Sequence, residues 1–186
     1  MIIGVEASAG SYLMSHHPPH IYLDNVWYIV TASTLNHTRF LTEYRAKAMM
    51  RDKLKKLVQK FKINLRAWVI LDNHYHLLFK TYRGQDLPRF FAQLHGGTTW
   101  QLNTWTNMRG RQIWHNYWDT CLRDEKEYWI RFNYIHQNPI KHGYVQDVIE
   151  WPFSSYHYYL RTKGQEWLHE CLAAYPVLDY LEWDDF

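Results

Sequence analysis

Two short runs rich in apolar and aromatic side chains, Asn64 to Leu71 and His74 to Tyr82, are separated only by Asp72-Asn73. A spacer that short admits a tight turn and little else. The runs therefore pair antiparallel as a hairpin, and any fold for this chain has to be built round that sheet. Within the second run side chains alternate faces, so His74 and His76 point the same way and Tyr75 the other. Two imidazoles can then share one ion where the strand leaves the turn. A lone His-x-His on a strand is a weak sign, because this chain has 12 histidines to place. Its company has to decide.

On either side of the hairpin the pattern alternates. Val26 to Thr34 is rich in β-branched and aromatic residues and reads as a first strand. Thr42 to Phe61 carries Met50, Leu54, Leu57, Val58 and Phe61 at helical spacing, with Arg45, Lys56 and Lys60 opposite that stripe. Leu87, Phe90, Phe91, Leu94, Leu102 and Trp105 suggest another long helix. Gly96-Gly97 weakens it midway, each glycine costing about 1 kcal/mol relative to Ala, unless the backbone there must let something approach closely. Asn103 to Arg111 reads as a polar, basic loop and Ile113 to Leu122 as a fourth strand. Asp124 with Glu127 resembles a capping box, so a helix is expected from about Glu125 to Gln137, with Pro139 placing Asn138 at its end. In Trp151-Pro152-Phe153-Ser154-Ser155-Tyr156, Ser154 is expected to cap a short helix. The order β-α-β-β-α-β-α implies an α+β fold, a ferredoxin-like (RRM-like) antiparallel sheet with helices packed on one face.

Charge is distributed unevenly. The net charge is only +3, but from Arg39 to Arg66 ten Lys or Arg stand against Glu43 and Asp52, a local +8; from Gly164 to Phe186 six acids stand alone. One end invites a polyanion, and the other repels it or covers something basic. The division expected is an N-terminal arm over residues 1–20, ordered in part by Tyr12 and Leu13, a domain over 21–160 and an acidic extension over 161–186. Residues 1–20 contain no Lys or Arg, and so lack a basic secretory start; Cys121 and Cys171 are far apart. No apolar run nears a membrane span. A reduced, cytoplasmic protein with no membrane partner is the expectation.

The second chemical signal is Tyr134-Ile135-His136-Gln137-Asn138-Pro139. Tyr134 and Asn138 lie one helical turn apart and share a face, whereas His136 falls about 200° round and faces elsewhere. A phenol with an ordinary pKa near 10 is a poor nucleophile at neutral pH, so it needs a Lewis acid or a base. Asn138 can supply a neutral oxygen to an ion, or it can simply cap the helix. Two imidazoles and an amide oxygen leave positions open on Mg²⁺ or Mn²⁺ for the oxygens of a phosphate, although zinc also accepts histidines.

The set NHYHLLF, WHNYWDTCLRDEKE, YIHQNPIKHGYV and WPFSSY, in that order between about Val26 and Tyr159, resembles the REP-associated tyrosine transposases, a branch of the single-tyrosine HUH (IS200-like) transposases. The resemblance implies the HUH endonuclease fold with a C-terminal helical extension. It implies His74 and His76 as metal ligands, Asn138 as the third, and Tyr134 as the nucleophile. The implied reaction is divalent-metal-dependent cutting of one DNA strand beside a hairpin, leaving a 5′-phosphotyrosine and a 3′-OH that can be rejoined without ATP. REP-associated members lean toward the monomer. The sequence departs from the pattern at Leu71-Asp72, where Met-Pro is common, at Thr120, where a His is common, and at His142, where a small residue is usual.

For a single-stranded or hairpin DNA partner, the phosphate surface expected is Arg45, Lys55, Lys56 and Lys60 with Arg109 and Arg111. Trp114 and Trp118, with Trp105, are candidates to stack on unpaired bases, although each ring could equally fill the core. Two other readings stand beside cleavage by tyrosine: a hairpin DNA or RNA-binding regulator that no longer cuts, and a metal-dependent hydrolase that uses water.

Overall fold

The computed structural model describes residue 20 and residues 22–178. The expected arm falls outside the described residues but for its last position, as do the final residues 179–186, which carry four of the six terminal acids. Among the described residues the order is β1 (Val26–Thr34), α1 (Tyr44–Lys60), β2 (Asn64–Ile70), β3 (His74–Thr81), α2 (Leu87–Thr106), β4 (Trp114–Cys121), α3 (Glu125–Lys141), α4 (Tyr156–Lys163) and α5 (Gln165–Ala174). The strands form one sheet in the order β2-β3-β1-β4, every neighbouring pair antiparallel. That is the ferredoxin-like arrangement, with the hairpin strand β3 in the middle.

Strand alternation decides what each helix covers. Tyr75 and Phe79 point to the face where α2 lies: the Tyr75 hydroxyl is 2.8 Å from His95 Nε2, and Phe79 packs against Phe90 and Phe91. Helix α1 joins α2 there through Phe61 on Phe90. His74 and His76 point to the other face, which α3 crosses. The two crossover helices thus share one face as expected, and the helix after β4 lies on the opposite one. Helices α4 and α5 back α3, with Asn133 Nδ2 donating to the carbonyls of Cys171 and Tyr175, both at 2.9 Å. Residues 161–174 are therefore packed on the domain, and the expected boundary at 160 falls inside α4.

Three local expectations are corrected. Helix α2 runs unbroken to Thr106 and ends at Asn107 in the left-handed conformation, so Asn103 is helical and not part of the loop. A Cβ at position 97 would meet the flexible end of the Lys53 side chain of α1, so Gly97 makes room for that ammonium against α2; no such neighbour exists at Gly96. Helix α3 continues through Pro139 to Lys141, because Asn138 and Pro139 are buried and that packing outweighs the local bias against helix before proline. Finally, the N-cap of α4 is Ser155, while the Ser154 hydroxyl accepts from the Tyr156 amide at 3.1 Å.

The Trp-Pro-Phe-Ser-Ser segment also closes the sheet. Ile70 donates its amide to the Phe153 carbonyl and Ser155 to that of Trp68, both at 2.9 Å, and the Trp151 indole donates to Ile70 O at 3.2 Å. These bonds occupy the outer edge of β2, which would otherwise offer an unpaired ladder to another chain.

Candidate active site

The turn that opens β3 is held from several sides. Leu41 donates its amide to the Asp72 carbonyl and Thr34 to that of Asn73, both at 2.8 Å, and Asn73 Nδ2 donates to His37 O at 3.1 Å. The Asp72 carboxylate sits 2.6 Å from Lys47 Nζ of α1, with side-chain exposures of only 8% and 5%. Lys47 also donates to Thr42 O at 2.9 Å and lies over the rings of Trp151 and Phe153 at 5.3 and 5.8 Å. Asp72 stands where a proline was the expected pattern. An ion pair to the neighbouring helix thus fixes the turn from which His74 emerges.

His74, His76, Tyr134 and Asn138 converge. His74 Nε2 is 3.1 Å from Asn138 Oδ1, and the His74 and His76 rings are 5.1 Å apart. The His76 ring stands edge-on to Tyr134 with centroids 5.2 Å apart. Each imidazole is oriented through Nδ1, His74 by Asn73 Oδ1 at 2.8 Å and His76 by the Thr31 hydroxyl at 2.7 Å. His74 Nε2 is thereby turned toward Asn138, and His76 Nε2 is left on the ring edge away from Thr31, as an outer hydrogen bond orients a metal-ligating histidine. Exposure is 7% at His74, 1% at Tyr134 and zero at His76 and Asn138.

No three or more His, Cys, Asp or Glu form a metal-binding group among the described residues. The candidate set is two imidazoles and an amide. Asn138 Nδ2 is buried with no hydrogen-bond partner among the described residues. An asparagine held only for structure normally has both ends of its amide satisfied. Here the oxygen is aimed at a histidine nitrogen, a donor set that fits a small oxygen- and nitrogen-preferring divalent cation.

Residues beyond the sequence candidates join them. Lys141 Nζ lies 5.2 Å from the Tyr134 ring centroid, and the His142 ring lies 4.7 Å from that of His74. Both follow from the continued helix, since positions 134, 138 and 141 share a face only if α3 runs past Pro139. Thr31 was signalled by no motif; it is found from the strand register, in which it stands opposite His76. His136 is confirmed as facing away. Its Nε2 lies 2.7 Å from Ser155 Oγ, its ring packs on Phe132 and Tyr159, and burial drives its pKa down to about 3.

The expected nucleic-acid residues separate into groups. Arg45 is exposed at the start of α1, over the Trp105 ring at 5.0 Å and donating to Glu43. Arg109 is exposed in the loop after α2. Arg111 is committed to holding that loop, donating to Asn103 Oδ1 at 3.1 Å and Thr106 Oγ1 at 3.0 Å and lying over Phe40. Lys55 and Lys56 are exposed farther along α1, and Lys60 donates to Gln93 on α2. These lysines belong to the sheet face opposite His74. Trp114 is corrected as a stacking candidate: it is buried, stacked on His95 at 4.8 Å, and its indole donates to Thr98 Oγ1 at 2.8 Å. Trp118 is half-exposed and stands opposite Thr31, which stands opposite His76, so it shares their face two strands, about 10 Å, away.

Comparison with known proteins gives a consistent picture. A family model described as "Transposase IS200 like" matches residues 23–138. A REP-associated tyrosine transposase of Escherichia coli (strain K12) is 27% identical over 149 residues, spanning 77% of this chain and 84% of that one. A provisionally assigned REP-associated tyrosine transposase of Haemophilus influenzae (strain ATCC 51907 / DSM 11121 / KW20 / Rd) is 30% identical over 128 residues, 63% of this chain and 72% of its own. Among solved structures, a REP-associated tyrosine transposase bound to a REP hairpin superposes with a TM-score of 0.66 at 24% identity, covering 78% of this chain and 86% of that one.

Proposed function

The chain belongs to the IS200-like transposases and, among them, to the REP-associated tyrosine transposases, and from that premise we propose that it nicks and rejoins one strand of hairpin-bearing DNA through Tyr134. The observation that carries the reading is the convergence of Tyr134, on α3, with His74 and His76, on β3, and Asn138 at 3.1 Å from His74. The hairpin as partner is supported by the solved relative, which is bound to one.

His74 and His76, through Nε2, and Asn138, through Oδ1, would hold Mg²⁺ or Mn²⁺, and a cation there supplies Lewis acidity to the scissile phosphate. The remaining work falls to the chain. Tyr134 Oη attacks phosphorus, and the bond to the 3′ oxygen breaks. The phenol loses a proton and the departing oxygen gains one, leaving a 5′-phosphotyrosine and a 3′-OH. One phosphodiester replaces another, so the reverse attack rejoins strands without an energy source. The Lys141 ammonium beside the ring favours charge that develops on the phenol oxygen. Asn73 and Thr31 hold the imidazoles, and the Lys47–Asp72 pair holds the turn. Arg45, two residues before Lys47, positions a phosphate near the turn, Arg109 adds an exposed cation in the loop after α2, and Trp118 offers a face to an unpaired base.

The test is incubation of wild type and Tyr134→Phe with Mn²⁺ and labelled single-stranded hairpin DNAs, resolved on denaturing gels. Label on protein in wild type alone is the expected result. Cleavage by both proteins with no labelled protein would overturn the tyrosine reading in favour of hydrolysis. Binding by both with neither cleavage nor label, across a pool of hairpins drawn from bacterial repeats, would favour the regulator.

A further inference from the structure

A cavity rich in aromatic side chains lies away from the histidines. It measures about 570 Å³ and is formed where the beginnings of β1 and β2 meet the N-terminal half of α3 and the facing sides of α4 and α5. Phe132 and Tyr159 make its floor, with the half-buried rings of Trp27, Tyr128, Trp129 and Trp167 around it. Flat faces are paired there: Tyr159 and Trp167 stack at 5.9 Å with planes 18° apart, and Trp27 meets Tyr128 edge-on at 5.0 Å. Three cations stand at the rim, all exposed: Arg66, over Trp27 at 5.8 Å; Lys163, over Trp167 at 6.0 Å; and Arg123.

Two acids share the lining and hold neutral donors close to the start of α3. Asp124 accepts from the Glu127 amide at 2.8 Å, and Glu125 accepts from the Trp129 indole at 3.2 Å. The cavity therefore offers aromatic walls and a cationic rim, and its volume suits a single drug-sized ligand. It takes a flat, π-faced body with an anionic end. Rings that accept any base, with cations for the backbone, are how unpaired nucleic acid is held.

We propose that this cavity binds an unpaired nucleotide of the DNA strand, its base among Trp27, Tyr128 and Trp167 and its phosphate on Arg66 and Lys163. The placement agrees. Tyr128 precedes Tyr134 on the same helix by about 9 Å along the axis, and both lie on the side of the sheet that α3 covers. A strand whose phosphate sits at Tyr134 reaches the cavity with a short run of extended backbone. The inference rests on the transposase reading for its substrate class.

The probe is a single-stranded trinucleotide with 2-aminopurine at its centre, titrated with the full chain in EDTA, where cleavage plays no part. Saturable quenching of the probe is expected. Arg66→Glu combined with Lys163→Glu, both exposed positions, should weaken binding at least about tenfold and lessen its salt dependence. Trp27→Ala should reduce the quench at saturation. No saturable quench in wild type, or equal binding by the charge-reversed variant with an unchanged circular dichroism spectrum, overturns the proposal. Tyr134 labelling by hairpin DNA is measured in parallel. Labelling without trinucleotide binding removes the cavity's role and spares strand transfer; trinucleotide binding without labelling does the reverse.

Discussion

Removing the carboxylate of Asp72 should unfold this protein more readily than removing almost any exposed charge. The Lys47–Asp72 pair is 2.6 Å long and nearly excluded from solvent. Asp72→Ala leaves an ammonium buried between α1 and the turn, and stranding a buried charge in this way typically costs about 3–5 kcal/mol. Lys47 keeps the Thr42 carbonyl and the ring faces of Trp151 and Phe153. Those contacts favour the lower end, about 3 kcal/mol, or a fall in melting temperature of roughly 6–12 °C for a domain of this size. Lys47→Met combined with Asp72→Leu removes both charges and should recover most of the loss, because an apolar pair of similar volume avoids desolvation altogether. Urea unfolding of the wild type, Lys47→Met, Asp72→Leu and the double variant completes the cycle, with Asp72→Ala measured beside it. A loss below about 1 kcal/mol in Asp72→Ala, in the range of surface ion pairs, would refute the account.

Four further outcomes are expected. Burial holds both His95 and His136 down to about 3, against an ordinary value of 6.5. The unfolded chain then binds protons that the native one does not between these values, so stability is full above pH 6.5 and falls as pH drops toward 3. His136→Gln should remove its share of that slope, and urea midpoints with the same pH dependence as wild type would contradict this. Trp114→Ala should cost about 3–5 kcal/mol as a core truncation, whereas Trp118→Ala should leave stability within about 1 kcal/mol and weaken binding to hairpins with unpaired flanks. EDTA should abolish labelling of Tyr134 and leave hairpin affinity nearly unchanged, as gel shifts with and without the chelator would establish. Tetranitromethane should spare Tyr134 in the free protein, as read by peptide mass mapping; early nitration there would mean that the phenol is open to solvent.

Much of the fold was legible because it follows from local pattern. The two-residue spacer dictated the hairpin, strand alternation put His74 and His76 on one face, and the Asp124 side chain does accept the Glu127 amide. What escaped depended on tertiary packing or on register. The proline rule stopped α3 at Asn138, but burial against the sheet and the backing of α4 and α5 carry it three residues farther, bringing Lys141 and His142 to the site. Trp114 and Trp118 are four residues apart, and simple alternation assigns them the same face. A register shift in β4 where it passes Ala32 and Thr34 of β1 reverses the phase, sending Trp114 into the core and leaving Trp118 on the face of the histidines. Nothing in composition signals that shift. The basic run of α1 was legible as a charge, but its face was not: only the packing of α1 on α2 puts Lys55 and Lys56 on the side away from Tyr134.

The sealing of Tyr134, with 1% exposure, and of His76 and Asn138, with none, bears on how such a protein lives with the chromosome around it. A phosphate cannot meet an atom that water cannot touch. Under the strand-transfer proposal the nucleophile is thus sheathed, and stray single strands meet only the outer surface of the protein. Contact requires the covering groups to part, and the free energy for that has to come from DNA that binds well elsewhere on the molecule. On that proposal, damage to the wrong sequence is then restrained before any chemistry begins, because only DNA that binds well enough to part the covering groups reaches Tyr134.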